Sequence, residues 1–108
     1  MIVSGGENVD PSEIETVLLR HEALADAAVV GLDDAEWGQR VAAAIVLRNP
    51  VAIEDIAAAC RLELAAYKIP RIWRVMTALP RTASGKLLRR ELREIFAGGD
   101  EGKNTEVE

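Results

Sequence analysis

The chain has 108 residues, 49% hydrophobic and 29% charged, enough for one domain that buries roughly 65% of its unfolded surface around a single core. No apolar run approaches the roughly 20 residues of a transmembrane helix, which excludes a helical membrane span. The net charge of -5 is uneven, with 12 acidic and 4 basic side chains in residues 1–66, 2 and 8 in residues 67–97, and 4 and 1 in residues 98–108; one basic segment on an acidic body suits a specific anionic ligand and argues against nonspecific nucleic-acid binding.

In chain order, "MIVSGGENV" reads as a short strand entering a glycine turn. "DPSEIETVLLRH" then opens a helix, with Asp10 as N-cap, Pro11 at its first position and Glu13 completing a capping box. Ile14, Val17 and Leu18 give it one apolar stripe. A small-residue strand follows, roughly Ala27 to Gly31, then an acidic turn and a second strand in "RVAAAIVLRN"; continuous apolarity in both predicts a sheet covered on its two faces. Ile53, Ile56, Ala57, Cys60 and Leu64 are spaced as an amphipathic helix. "KIPRIWRVMTALP" reads as a third strand bounded by Pro70 and Pro80. A last helix from Leu87 to about Phe96 buries Leu88, Leu92, Ile95 and Phe96 and leaves Arg89, Arg90 and Arg93 on a solvated face. The expected fold is a small α+β domain over residues 1–97, with a central three-stranded sheet, a short N-terminal strand or hairpin and about three packed helices. Residues 98–108, Gly-rich and charged, are expected to be a disordered acidic tail.

The opening lacks a basic stretch followed by an apolar one, so no secretory signal is expected, and Cys60 as the single cysteine forbids an internal disulfide. Both favour the cytoplasm. Cys60, on an apolar stripe, reads as an inert core thiol, and His21 has neither a nucleophile nor metal ligands beside it in the sequence. No metal site is expected in the chain.

The stretch "LPRTASGKLLRREL" carries the most pointed chemistry. It is no phosphate-binding P-loop, which needs glycine at 80 and a hydroxyl at 87 where Pro80 and Leu87 stand. Thr82, Ser84 and Gly85 nevertheless form a polar loop that ends in Lys86, a point charge on a long stem. On spacing alone the loop reads rather as a solvated turn whose Ser84 caps the last helix. Gly5 and Gly6 permit positive φ and the close approach of a ligand, or simply a tight turn.

Taken together, "SGGENVDPSEIE", "DAAVVGLDDAEWGQRVAAAIVL", "LAAYKIPRIWRV" and "LPRTASGKLLRREL" resemble, in order and spacing, the C-terminal domain of the adenylate-forming acyl-CoA synthetase (AMP-binding) superfamily, over about residues 1–97. The resemblance implies the mobile lid of an acid-CoA ligase with ATP and coenzyme A as substrates. Mg2+ would be bound with ATP mainly by a large N-terminal domain, and that domain and the hinge that follows it are expected to be missing from this chain, leaving it inactive alone.

By the same resemblance Lys86 is the catalytic lysine of adenylate formation, presented by Pro80, Thr82, Ser84 and Gly85. Gly5, Gly6 and Glu7 match the segment that lines the pantetheine channel after the lid rotates. Trp37 and Tyr67 match aromatics beside the CoA nucleotide, with Lys68 and Arg71 placed for its phosphates; both aromatics also read as half-buried core. Implied partners are the large domain, CoA, the acyl-adenylate and a protein acetyltransferase or deacetylase acting on Lys86. Fatty acid metabolism is the expected setting, although the activated acid cannot be read from these residues. The alternatives are a stand-alone CoA- or nucleotide-binding or regulatory module of the same fold, or the lid of an enzyme that loads a carrier protein.

Overall fold

The computed structural model describes residues 1–99 and 104–107. Two strands, β1 (Ile2–Ser4) and β2 (Glu7–Val9), form an N-terminal hairpin, and helix α1 (Pro11–Leu19) follows directly. A long antiparallel pair comes next, β3 (Leu24–Asp34) and β4 (Gly38–Leu47). Helix α2 (Ile53–Arg61) and a short 3-10 turn (Ala66–Lys68) cross over to β5 (Ile72–Val75), which lies parallel to β4. Helix α3 (Arg89–Glu94) runs into a π turn (Ile95–Gly99), and β6 (Thr105–Glu106) closes the sheet antiparallel to β5, in the order β3-β4-β5-β6. The α+β class is as expected.

Both faces of the sheet are covered. Side chains alternate across a strand, so Ala27, Val29, Val41, Ala43, Ile45 and Trp73 face the hairpin, α1 and α2, while Ala28, Val30, Ala42, Ala44 and Ile72 face Leu79, Leu92 and Phe96. The alanines of β3 and β4 let both layers approach closely. Trp73 is fully buried and its indole N–H, which water cannot reach, donates to the Pro70 carbonyl at 2.9 Å.

Several expectations need correction. The sheet has four strands, because the tail does not stay free over residues 104–107. Val107 N–H donates to the Arg71 carbonyl at 2.8 Å, Arg74 Nε donates to the Asn104 side-chain carbonyl at 2.9 Å, and Val107 packs against the larger core. Edge pairing thus outweighs a composition that reads as disordered; Asp100–Lys103 and Glu108 of the expected tail lie outside the described residues. The third strand is only Ile72–Val75. The last helix starts at Arg89, two residues late, with Leu88 at its N-cap and no capping side chain, so Ser84 does not cap it. Leu92 and Phe96 are buried there, Leu88 and Ile95 only partly.

The α1 cap is half of what its sequence promises. Asp10 accepts from Ser12 N–H at 2.9 Å and Ser12 Oγ at 2.8 Å, which holds its carboxyl below the usual carboxylate range. Glu13, expected to complete the box, instead accepts from Lys68 Nζ at 2.8 Å. A full ion pair competes better for that carboxylate than one more backbone N–H.

Candidate functional site

Two clusters of the expected residues form, and they lie at opposite ends of the long β3-β4 pair. The first is the loop before α3. Arg81 and Leu87 pair as an isolated antiparallel bridge, Thr82 N–H donates to the Lys86 carbonyl at 2.8 Å and Gly85 N–H donates to the Thr82 carbonyl at 2.9 Å. Thr82 Oγ1 accepts from Lys86 N–H at 3.0 Å and lies 3.0 Å from Ser84 Oγ. Leu88 N–H donates to the Pro80 carbonyl at 2.9 Å. The polar residues before Lys86 therefore build a tight self-bonded hairpin. Gly85 sits at φ +94°, a conformation that other residues rarely adopt, with open space where a Cβ would be.

Lys86 itself is exposed, and its amine makes no ion pair among the described residues. It borders an open hollow of about 720 Å³ with Leu87, Leu88, Arg89, Arg90 and Glu91. Such an amine is available to an anion brought in from outside.

Sequence reasoning missed what fastens this loop. Arg81 donates to both carboxylate oxygens of Asp26, at 3.1 and 2.9 Å, and that hydrogen bonding raises its pKa above the ordinary arginine value. Arg89, expected on a solvated face, turns inward: its guanidinium donates to Glu15 at 3.0 Å and to the Val29 carbonyl at 2.6 Å. Glu15 in turn accepts from Val29 N–H at 2.8 Å, so one arginine joins α3, α1 and β3. These partners are 14 to 74 residues apart, beyond any local spacing rule.

The second cluster gathers at the hairpin tip and the β3-β4 turn. Gly5 and Gly6 have φ of +59° and +83°, the paired positive values of a two-residue hairpin turn that suits glycine. Gly5 N–H donates to the Trp37 carbonyl at 2.9 Å, and a Cβ on Gly5 would lie 3.0 Å from Trp37 Cε3. The indole thus lies against bare glycine backbone. Asp34 fixes the turn by accepting from the Glu36 and Trp37 N–H groups, both at 2.9 Å. The Arg71 guanidinium stacks 5.6 Å from the Trp37 ring centroid. Glu7 is exposed at the start of β2.

Trp37 is 43% exposed and Tyr67 42%, so neither is a core aromatic. Lys68 lies 5.7 Å from the Tyr67 ring centroid and is held by Glu13, which raises its pKa first through the hydrogen bond and then through charge. Of the two cations expected at phosphate, only Arg71 is joined to Trp37. Cys60 is buried, and burial pushes its thiol up to about 11; it takes no part in either cluster. His21 Nδ1 accepts from Ala23 N–H at 3.1 Å in the turn that follows α1. Among the described residues no three His, Cys, Asp or Glu side chains gather as a metal would need, and no helix is long and apolar enough to cross a membrane.

Asp26 and Asp34 lie eight residue steps apart on β3, roughly 26 Å of strand. Fold and clusters together define a class: a small α+β domain that presents at one end of a rigid sheet a lysine with no ion pair among the described residues, and a glycine-aromatic-arginine surface at the other. The chain belongs to the AMP-binding enzyme C-terminal domain family, whose model matches residues 13–86.

Among its relatives is the 2-succinylbenzoate-CoA ligase of Bacillus cereus, 50% identical over 95 residues that make up 88% of this chain and 20% of the ligase. A fatty acyl CoA synthetase of Mycobacterium tuberculosis superposes with a TM-score of 0.85 at 42% identity, covering 90% of this chain and 20% of that one. The o-succinylbenzoate CoA synthetase of Bacillus subtilis, solved in complex with its acyl-adenylate intermediate, gives 0.84 at 44% identity, covering 94% and 20%. The chain thus spans about a fifth of the length of these relatives.

Proposed function

We propose that the chain is the mobile lid of an AMP-forming acid-CoA ligase and serves its two half-reactions with its two ends. In the first, a carboxylate oxygen attacks the α-phosphate of Mg-ATP, the bond to pyrophosphate breaks and an acyl-adenylate forms. Negative charge grows on the phosphate and carboxylate oxygens, and the Lys86 ammonium, brought into a partly dry cleft on the large domain, offsets it there. Pro80, Thr82, Ser84 and Gly85 present it. In the second, the CoA thiolate attacks the acyl carbonyl and AMP leaves. Rotation of the lid then brings Gly5, Gly6 and Glu7 to the site, where backbone without side chains leaves room for the narrow pantetheine arm. Trp37 and Tyr67 flank the adenine, and Arg71 meets phosphate.

The observation that carries this reading is the opposition of the two clusters on one rigid sheet: a single body cannot turn both to one cleft at once, so each must be used in a different orientation. The metal that travels with ATP is part of the substrate, and this chain offers no ligand set for it among the described residues. The names of the curated relatives favour 2-succinylbenzoate over a fatty acid as the acid activated, and free CoA over a carrier protein as acceptor. Lys86, exposed and unpaired, is also open to an acetyltransferase, and acetylation would remove the charge that the first half-reaction uses. These steps take place in the cytoplasm.

Lys86→Ala in the full-length protein that carries this domain is the test. Adenylate formation, followed by pyrophosphate release, should fall by about 10²- to 10³-fold or more, and thioester formation from supplied acyl-adenylate should stay within about twofold. Equal loss in both half-reactions would refute the division of labour.

A further inference from the structure

The Lys86 loop is fastened to the body of the domain by a residue that no step above employs. Arg81 Nε and one terminal nitrogen grip both oxygens of Asp26, and its other terminal nitrogen donates to the Gly85 carbonyl at 2.9 Å. One guanidinium therefore bridges the sheet and the residue immediately before Lys86. A break in the strand aims Asp26 at this bridge, since the β3-β4 register shifts between Leu24 and Asp26, and such irregularities redirect a side chain out of the regular ladder. Its Oδ1 is held further by Ala27 N–H at 2.9 Å. On the far side of Lys86, Arg89 is locked to Glu15 and Val29. Between these anchors lies Gly85, at a positive φ and in open surroundings; the peptide that joins it to Lys86 is held on its N–H side by Thr82 Oγ1 and on its carbonyl side by Arg81.

We infer that Arg81 is a positioning residue for Lys86, holding Asp26 with one edge of its guanidinium and the Gly85 carbonyl with the other so that the loop presents the lysine amine in one orientation. The inference rests on the adenylation role proposed for Lys86. A planar fork with fixed donor directions suits this bridge, whereas a lysine ammonium has one centre and cannot span both acceptors in the same geometry. Misplacing a reacting group by about 1 Å can cost on the order of 10²-fold in rate, and a loop cut loose at Gly85 exposes Lys86 to such a shift.

The experiment measures both half-reactions for Arg81→Ala, Arg81→Lys, Asp26→Asn and Lys86→Ala in the full-length protein that carries this domain. Arg81→Ala should lower kcat for adenylate formation by about 10- to 100-fold, leave KM for ATP within about threefold, and leave thioester formation from supplied acyl-adenylate within about twofold. Arg81→Lys should not rescue it. Asp26→Asn, whose amide oxygen still accepts from the guanidinium, should show the same split at about tenfold or less, and the Arg81→Ala, Asp26→Asn pair should lose no more than Arg81→Ala alone.

A role in stability alone would lower both half-reactions together with the melting temperature, and that result, or less than a twofold change in adenylation, overturns the inference. If Lys86→Ala still abolishes adenylation in that case, the function proposed for Lys86 stands without it; if Lys86→Ala remains active, both fall. Should Arg81→Ala fail to fold, the split measured for Asp26→Asn decides the matter by the same criteria.

Discussion

The two ends of the sheet handle charge and space in opposite ways. At the Lys86 end Arg81 and Arg89 are each tied to a carboxylate and a backbone carbonyl, and Lys86 stands on a loop held from both sides with no ion pair of its own among the described residues. At the hairpin end the decisive feature is missing bulk: Gly5 brings bare backbone against the Trp37 ring, Gly6 beside it faces open space, and Arg71 stacks on that ring. On the function proposed above, the first end would offset transient charge with a rigidly presented cation, and the second would pass a thin thiol arm through a gap walled by aromatic and backbone.

The sharpest way to break this comparison is to fill the gap. Gly5→Val puts a branched side chain where a Cβ alone would lie 3.0 Å from Trp37 Cε3, at φ +59°. The strained backbone costs about 1–2 kcal/mol, and the displaced indole narrows the passage. Thioester formation should fall by on the order of 10²-fold while adenylate formation is kept within about threefold, the mirror image of Lys86→Ala. Loss of adenylation to the same extent would mean that the hairpin serves the domain as a whole and not the second half-reaction.

A smaller effect is expected from the walls. Trp37→Ala and Arg71→Ala should each raise KM for CoA by about tenfold, equivalent to roughly 1.4 kcal/mol, with KM for ATP unchanged. Because Arg71 stacks on Trp37 at 5.6 Å, the double variant should lose less than the product of the two. Steady-state kinetics with CoA varied against saturating acid and ATP checks this, and full multiplicativity would show that the two side chains meet CoA separately.

The sequence makes the first three-quarters of this arrangement legible. The stripe of α1 and the apolar runs of β3 and β4 appear where periodicity puts them, since each buries a face that its own residues specify. Lys86 and the glycine pair are legible through motif, because their chemistry depends on residue type within a few positions. β6 is hidden because four residues of ordinary composition gain their order from the edge of β5, and nothing local signals an available edge. Arg81 and Asp26 are hidden for a related reason: the pair is 55 residues apart and rests on a register shift in β3. The same distance misplaces Glu13, whose spacing from Asp10 spells a capping box while its carboxylate goes to Lys68.

That last pair gives the finest test of how the hairpin end works. Lys68 and Arg71 look equivalent in sequence, two cations in "YKIPR", but only Arg71 stacks on Trp37; Lys68 spends its charge on Glu13 at 2.8 Å, a partner that raises its pKa. A phosphate arriving at Lys68 must compete with a carboxylate already in place, and the gain from exchanging one oxyanion for another is small in an exposed pair. Lys68→Ala should therefore raise KM for CoA by less than about threefold, well short of Arg71→Ala. Glu13→Gln sharpens the point: with the competing charge removed, Lys68 becomes free to meet phosphate, and KM for CoA should fall slightly or stay level. If Lys68→Ala costs as much as Arg71→Ala, the ion pair opens when CoA binds, and Glu13 then acts as the group that releases the lysine.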